Sequence, residues 1–511
     1  MGKELFKNIP SKVGDLVKDV RNGRIGLPDL QRPFVWRDNK VRELFDSMLK
    51  GYPIGYIMLW ESPVDYESKK SAIGDNSKTY EEPKELVIDG QQRLTALVAA
   101  MYAVKVKDMN SVGIDISKGR STIAVMRPFG EVVISPFEVR HTDSELSELA
   151  RQLKSLTGET RVVMEATGNY HAPVAKLLHD AGLYVSVVNA KLVHGYGNND
   201  LRRVKTDKKD AVKLANYGLD RWLTLPRYVP EEDTRLLLKN CYRQYRQYSK
   251  VQTVLKNNLI SLLDTVFPNV NRLFSSPIRG DGSEKWVDFV AEFWHCRCVS
   301  EKSKKAFTNR YQHWCRKHGY NFSEAKAHTI HAEASGCIGV MPKSETTKLL
   351  VEQAVAQLRA TSVALTALKR EMLALAAQLP EHPVVMGMFG VGPTLGPQLI
   401  AEIGDVRRFY SKKALVAYAG LDAPPNDSGD VTGKHKSMSK IGASSLRRTL
   451  FLVMSVYLRN APLDEPVYQF MDKKRAEGKP YRVYMMASAN KFLRIYYATV
   501  KAYLESLEHT A

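Results

Sequence analysis

Four carboxylates stand at positions where an acid is costly unless it has work to do. Asp115 interrupts the apolar run Gly113-Ile114-Asp115-Ile116, which reads as a buried strand. Glu165 closes a second apolar run, Val162-Val163-Met164-Glu165. Asp207 and Asp210 lie in "KTDKKDAVKLA", three residues apart on an expected helix, and so share a face. A carboxylate in an apolar strand is unfavourable unless it is paired, hydrogen-bonded or metal-bound. Four of them from three elements could hold two Mg²⁺ ions, which in phosphoryl transfer on DNA stabilise the attacking and leaving oxygens. Each acid alone has an ordinary explanation, and Asp207 and Asp210 among lysines also fit a solvated helix face. The joint pattern, acids at the ends of successive elements, is what points to a metal centre.

A second candidate is a hydroxyl. Ser428 precedes Gly429 in the turn-forming "NDSG", and Lys434, Lys436, Lys440, Arg447 and Arg448 follow it. Those cations suit the charge on a scissile phosphate and its leaving group, and so form the expected nucleic-acid-binding set. A serine in such a loop is usually a turn residue, and chemistry alone does not prefer Ser428 to Ser437 or Ser439. Upstream, "GVGPTLGPQLIAEIGD" has the pattern of a helix-hairpin-helix, a glycine turn whose backbone N–H groups face a phosphate without reading sequence.

The acids need a sheet to hold them. "SVGIDISK" and "RSTIAVM" read as a hairpin turning near Gly119, and "GEVVISPFEV" as a third strand. "TDSELSELARQLKSL" has helical apolar spacing behind a Thr/Asp cap. Strand "TRVVMEATGNY", a helix ending at Gly182 and strand "LYVSVVNA" follow. Antiparallel strands succeeded by α/β alternation predict a ribonuclease-H-like mixed sheet rather than a doubly wound fold. Beyond it come two long helical runs, near residues 231–268 and 344–379, whose sustained apolar spacing predicts an antiparallel or intermolecular coiled coil. The segment 275–343 between them holds "HCRC" and "HWCRKH". Those residues could ligate zinc, but their spacing matches no usual zinc site and free thiols are the expectation.

At 511 residues the chain has room for several domains of roughly 150 residues each. Its net charge of +20 is uneven. Residues 1–108 carry 18 Lys+Arg against 16 Asp+Glu, whereas 109–511 carry 57 against 39, so the later part is expected to bind a polyanion, most simply nucleic acid. Five cysteines, clustered and odd in number, do not make a disulfide framework. No apolar run reaches the ~18 residues of a membrane span, and the N-terminus lacks a signal-peptide core. The expectation is a cytoplasmic, prokaryotic protein, nucleoid-associated when bound to DNA, with no membrane partner.

Residues 1–108 form a separate piece. "LPDLQRPFVW" and "ELVIDGQQRLTALVAAMY" resemble the beginning of a ParB-like domain family of unknown function found in restriction systems, through Gln31, Arg32, Pro33, Asp89, Gly90, Gln91, Gln92 and Arg93. A helix opening at Gln91 could bind an anion, with Arg93 adding a fork for phosphate. The resemblance ends within one helix of Asp89, so the piece is expected to be a truncated α+β fragment without nuclease or nucleotidase activity.

Residues 109–511 resemble a complete transposase of the insertion-sequence 110 family. The matching motifs, in order, are "GIDISK", "MEATGNYH", "KTDKKDA", the coiled-coil middle, "GVGPTLGPQLIAEIGD" and "AYAGLDAPPNDSG…SKIGASSLRRTL". The resemblance implies a RuvC-like domain over 109–228 with the metal-binding set Asp115, Glu165, Asp207 and Asp210. It further implies a helical coiled-coil region over 229–380 with an insert near 275–343, and a mainly helical transposase domain over 381–511 whose nucleophilic serine is Ser428. The implied chemistry is Mg²⁺-assisted strand cleavage and exchange on double-stranded DNA through a covalent phosphoserine. The implied partners are the element ends, the target, an element-encoded guide RNA and further copies of the chain in a dimeric or tetrameric synapse. On this view Met109 is the native start and 1–108 a host gene fragment fused in frame, with a deliberate or selected fusion as the alternative. Two rivals stand beside it: a metal-dependent, junction-resolvase-like nuclease that uses water and needs no serine, and a non-catalytic nucleic-acid-binding regulator.

Overall fold

The computed structural model describes residues 9–22, 24–28, 36, 38–61, 70–71, 85–102, 109–166, 168–196, 206–275, 277–423, 427–428, 431–432 and 438–510. The chain divides into two units, Met1–Pro230 and Glu231–Ala511.

The first unit opens with a small α+β layer. Its elements are α1 (Val13–Arg21), β1 (Ile25–Pro28), α2 (Asp38–Leu49), β2 (Met58–Glu61), β3 (Lys70–Ser71), β4 (Glu85–Asp89) and α3 (Gln91–Tyr102), with strand order β2-β4-β1-β3. Leu94, Leu97 and Val98 of α3 pack with Val87, Ile25 and Val17. Gly90 makes the strand-to-helix turn at φ +88°, a conformation that favours glycine. The Arg93 guanidinium donates to the carbonyls of Ile54 at 2.6 Å and Tyr56 at 2.8 Å and meets Asp89 at 3.5 Å. Its fork therefore fastens a loop to the helix start. Gln31, Arg32 and Pro33 lie outside the described residues.

A five-stranded mixed sheet follows, built from β5 (Met109–Ser117), β6 (Arg120–Arg127), β7 (Glu131–Arg140), β8 (Glu159–Glu165) and β9 (Tyr184–Val188), in the order β7-β6-β5-β8-β9. The hairpin strands pair antiparallel, and β5, β8 and β9 run parallel. This arrangement is compatible with the expected ribonuclease-H-like domain. Alternation sends Val112, Ile114 and Ile116 to one face, where they meet Leu146, Leu149 and Leu153 of α4 (Asp143–Lys154) and Val174 and Leu178 of α5 (His171–Asp180). Thr142 caps α4 by accepting the Glu145 N–H at 3.4 Å. Gly182, at φ +85°, ends the helix just beyond α5. The other face is covered by α7 (Asp207–Asp220), after the short α6 (Ala190–His194).

In the second unit the two long helices, α8 (Asp233–Val266) and α13 (Glu345–Ala377), pair with each other within the chain. They are antiparallel. Arg235, at the start of α8, meets Glu381, just beyond α13. Gln252 donates to the Ser362 hydroxyl at 2.9 Å, and Leu259 and Leu263 share a core with Val351 and Val355. The segment between them is a folded helical insert of α9 (Lys285–Glu292), α10 (Arg297–Ser300), α11 (Lys304–Lys317) and α12 (Glu324–Gly336). Its core is aromatic: Phe289 stacks on Phe293 at 4.7 Å and Tyr311 on Trp314 at 5.6 Å.

The C-terminal part comprises α14 (His382–Met386), α15 (Leu395–Ile403), α16 (Lys412–Tyr418), the two-stranded β10 (Asp427–Ser428) and β11 (Val431–Thr432), α17 (Ser444–Asn460), α18 (Pro466–Ala476) and α19 (Tyr481–Thr510). The expected glycine turn lies between α14 and α15. Gly390 adopts φ +76° there, and a Cβ would meet the Tyr457 ring at 3.2 Å. The Tyr242 and Thr449 hydroxyls bond at 2.9 Å in the core, pinning α8 to α17.

The Arg235–Glu381 pair closes this unit. Both side chains are buried, and the guanidinium binds both carboxylate oxygens, the second at 2.9 Å. Burial works against the Arg235 charge, but the Glu381 carboxylate outweighs it and raises the Arg235 pKa above its ordinary value. Removing Glu381 leaves the buried guanidinium only the exposed Glu232, at 3.4 Å, and breaking a buried pair costs about 3–5 kcal/mol. Glu381→Ala should therefore lose most of that in urea unfolding, whereas the double change Arg235→Met with Glu381→Leu should recover much of it. A single variant within about 1 kcal/mol of the native protein, well below that range, would show that the pair does not hold the two long helices together.

Candidate active site

The four acids are positioned by a close approach of helix and sheet. β5 and β8 are parallel, with Gly113 beside Val163 and Ile114 beside Met164. The next residues are Asp115 and Glu165, so the two acids sit side by side toward the C-terminal ends of adjacent strands. Side chains alternate, so Asp115 shares the face of Gly113 and Glu165 that of Val163. That face belongs to α7. A Cβ on Gly113 would lie 2.0 Å from the Ala211 carbonyl oxygen and 2.4 Å from the Ala215 nitrogen. A Cβ on Gly218 would lie 2.3 Å from the Ser111 hydroxyl and 2.8 Å from Val163 Cγ2.

These contacts fix the direction of α7. Gly218 lies over Ser111 and Ala211 over Gly113, so the helix runs against β5 and its first turn reaches the end of the sheet that bears Asp115 and Glu165. Asp207 and Asp210 are in that turn. Asp207 stands one turn before Ala211 and Asp210 one turn before Leu214, both on the line of the buried face. Thr206 begins the helix by accepting the Lys209 N–H at 3.3 Å. Acids in this first turn are also favoured by the helix dipole. Asp115, Glu165 and Asp210 are half-buried and Asp207 is exposed. The fold thus gathers the four predicted acids at one end and on one face of the sheet.

Among the described residues, no three His, Cys, Asp or Glu side chains already lie within reach of a single ion. The four acids share one end and one face of the sheet, and no three of them are close enough to hold one ion. An open, all-oxygen donor set fits a hard divalent cation that retains several waters and takes only one or two carboxylates. The described residues of the cysteine-rich insert hold no such group either, and burial pushes the Cys298 and Cys315 thiols up. Burial and the neighbouring Cys296 take Cys337 up to about 11. Thiols so shifted are poor metal ligands at neutral pH.

The backbone of Ser428 lies in the β10–β11 ladder, paired with Val431. Ser439 is engaged elsewhere: its hydroxyl bonds the Asp422 carboxylate and accepts the Ile441 N–H at 3.3 Å. Lys440, at φ +54°, and Arg448 are exposed, while Arg447 is half-buried and donates to the Ala419 carbonyl at 2.8 Å. Ser437, Lys434 and Lys436 fall outside the described residues.

Two family models match these two regions. Residues 112–268 match the DEDD transposase model of the IS110 type, and residues 382–469 match the transposase family IS116/IS110/IS902. The chain belongs to the IS110 transposase family. The first match contains Asp115, Glu165, Asp207 and Asp210, and the second contains Ser428. Two relatives agree over most of their length. The pilin gene-inverting protein of Moraxella bovis is 23% identical over 351 residues, covering 68% of this chain and 81% of that protein. An uncharacterized 44.8 kDa protein of insertion element IS116 from Streptomyces clavuligerus is 24% identical over 396 residues, 76% of this chain and 94% of that one. An uncharacterized protein of Methanocaldococcus jannaschii matches a shorter stretch of 96 residues at 38% identity, 17% of this chain and 16% of its own.

As an IS110-family transposase the protein is a DNA transposase/recombinase, and DNA is its substrate. The DEDD domain points to divalent-metal use in general. Among the described residues no helix is long and apolar enough to cross a membrane. Two functional features escaped inspection of the sequence: the glycines that seat α7, and the Arg235–Glu381 pair. Gly113 in the middle of an apolar strand, and the small residues Ala211, Ala215 and Gly218 at helical spacing, were the available signals for the first.

Proposed function

We propose that this transposase cuts and exchanges DNA strands through a covalent phosphoserine formed by Ser428, with Mg²⁺ held by Asp115, Glu165, Asp207 and Asp210. The observation that carries this reading is the gathering of four acids, from three elements, at one end of one sheet. Bound there, two ions would neutralise charge on the scissile phosphate and on the oxygens that enter and leave it. The acids fix where that phosphate sits. Ser428 supplies the nucleophile: its oxygen bonds to phosphorus as the phosphodiester P–O bond breaks, which conserves the bond energy for rejoining. Lys440 and Arg448 are exposed, and in this reading they meet phosphate oxygens. A relative that inverts a gene supports breakage coupled to rejoining, since inversion leaves no free ends. The working assembly is a synapse of several copies on element ends and target in the bacterial or archaeal nucleoid, with an element-encoded RNA choosing the sites.

Ser428→Ala should bind DNA as the native protein does and lose strand exchange by about a thousandfold or more, the scale expected when a covalent nucleophile is removed. Ser437→Ala and Ser439→Ala should retain it, Ser439→Ala with a loosened loop. Undiminished DNA cutting by Ser428→Ala, with no rejoining, would favour hydrolysis by a metal-dependent nuclease.

A further inference from the structure

The helical insert carries a surface that the strand chemistry does not use. α11 buries Phe307, Tyr311, Trp314 and Cys315, each 0–1% exposed, which makes it a stiff support. Its opposite face presents Lys305, Asn309, Gln312, His313 and Arg316 at successive helical turns. All are exposed except Gln312, which is half-buried. Lys304–Lys317 contains five Lys+Arg and no acid. Among the described residues, only Arg310 of these finds a carboxylate, Glu292 at 3.3 Å. The five side chains of the stripe make no hydrogen bond or ion pair with a described residue.

The composition of that stripe is specific. A solvated helix face normally mixes Glu with Lys at i and i+4, and α11 has no acid to do so. A surface that merely follows phosphates needs only cations. Here two amides stand on the line between two cations, and amides are the groups that pair with adenine N6 and N7, as Arg and Lys pair with guanine O6 and N7. The major groove of B-DNA, ~12 Å wide, admits a helix, whereas the deep, narrow groove of A-form RNA does not. We propose that the exposed face of α11 docks in the major groove of duplex DNA. Asn309 and Gln312 read base edges, Lys305 and Arg316 flank them on bases or phosphates, and Lys304 and Lys317 hold the backbone at the two ends of the helix. The insert is thereby a sequence-preferring DNA clamp between the long helices. This inference rests on DNA being the substrate and is independent of the role of Ser428.

The test uses the full chain and a random-sequence duplex pool. The native protein should enrich a short preferred sequence. The combined variant Lys305→Ala, Asn309→Ala, Gln312→Ala, Arg316→Ala should bind the enriched duplex at least about tenfold more weakly. Asn309→Ala with Gln312→Ala should relax the preference at particular base pairs and leave the salt dependence unchanged. Lys304→Ala with Lys317→Ala should flatten the salt dependence and leave the preference intact. Ser428→Ala should bind the enriched duplex as the native chain does, which separates this inference from the proposed chemistry. Exposed substitutions of this kind leave the aromatic core in place, and circular dichroism and the melting midpoint verify that. A folded combined variant with native affinity and the same enriched sequence would overturn the proposal. So would a loss confined to structured RNA.

Discussion

Asp115→Asn, Glu165→Gln and Asp210→Asn should each abolish strand exchange while leaving the protein folded and DNA-bound. Each change keeps the side-chain shape and removes one negative charge from the end of the sheet. A metal-assisted phosphoryl transfer owes several kcal/mol of transition-state stabilisation to its cations, and at ~1.4 kcal/mol per decade that is about a thousandfold or more in rate. DNA affinity should hold or rise, because the change removes repulsion between the site and the phosphates. Asp207→Asn should follow the same direction with a smaller effect, since Asp207 is the exposed member of the four. The readout is single-turnover cleavage of an element-end duplex across a Mg²⁺ titration, where weakened metal binding appears as a raised Mg²⁺ requirement. Near-native exchange by any two of the three principal variants would remove the metal site from the mechanism.

Gly113→Ala should damage the same chemistry without touching a charged group. The added Cβ would stand 2.0 Å from a backbone oxygen and 2.4 Å from a backbone nitrogen of α7, neither of which can rotate aside. The helix must lift from the sheet, and overpacking of this kind costs about 1–3 kcal/mol. Lifting α7 moves Asp207 and Asp210 away from Asp115 and Glu165. The variant should melt earlier and cleave far more slowly, with binding to the duplex retained. Gly280→Ala is the fair comparison: nothing lies within 4 Å of the added Cβ, and its stability and cleavage should be unchanged. A Gly113→Ala protein with native melting and native cleavage would mean that α7 is not seated as described.

The strands, their mixed pairing and the acids at their ends were legible in the sequence because each leaves a local mark. Asp115 interrupts an apolar run, Glu165 ends one, Thr142 stands where a cap is needed and Gly182 where a helix must stop. The direction of α7 across the sheet was not legible, because the residues that set it, Gly113, Ala211, Ala215 and Gly218, act by lacking side chains. Nor could apolar spacing alone say whether the long helices pair within one chain or between two, since the same stripe serves both. The structure pairs α8 with α13, and the Arg235–Glu381 bond that closes them joins residues 146 apart. The insert was visible only as a cluster of His and Cys. Its fold depends on aromatic side chains spread over 289–320 whose spacing belongs to several short helices. Ser428, Ser437 and Ser439 looked alike in sequence. The hydrogen bond of Ser439 to Asp422 now gives that serine a structural task within its loop.

The most direct measurement is the mass of the covalent intermediate. The native protein is mixed with an element-end duplex and Mg²⁺, the complex is trapped by denaturation, and the digested protein is mapped. The account predicts a nucleotide attached to the peptide containing Ser428. It also predicts no such peptide from Ser428→Ala, from Asp115→Asn or from protein treated with a chelator. A nucleotide on any other residue, or efficient strand exchange with no protein-linked nucleotide at all, would contradict it.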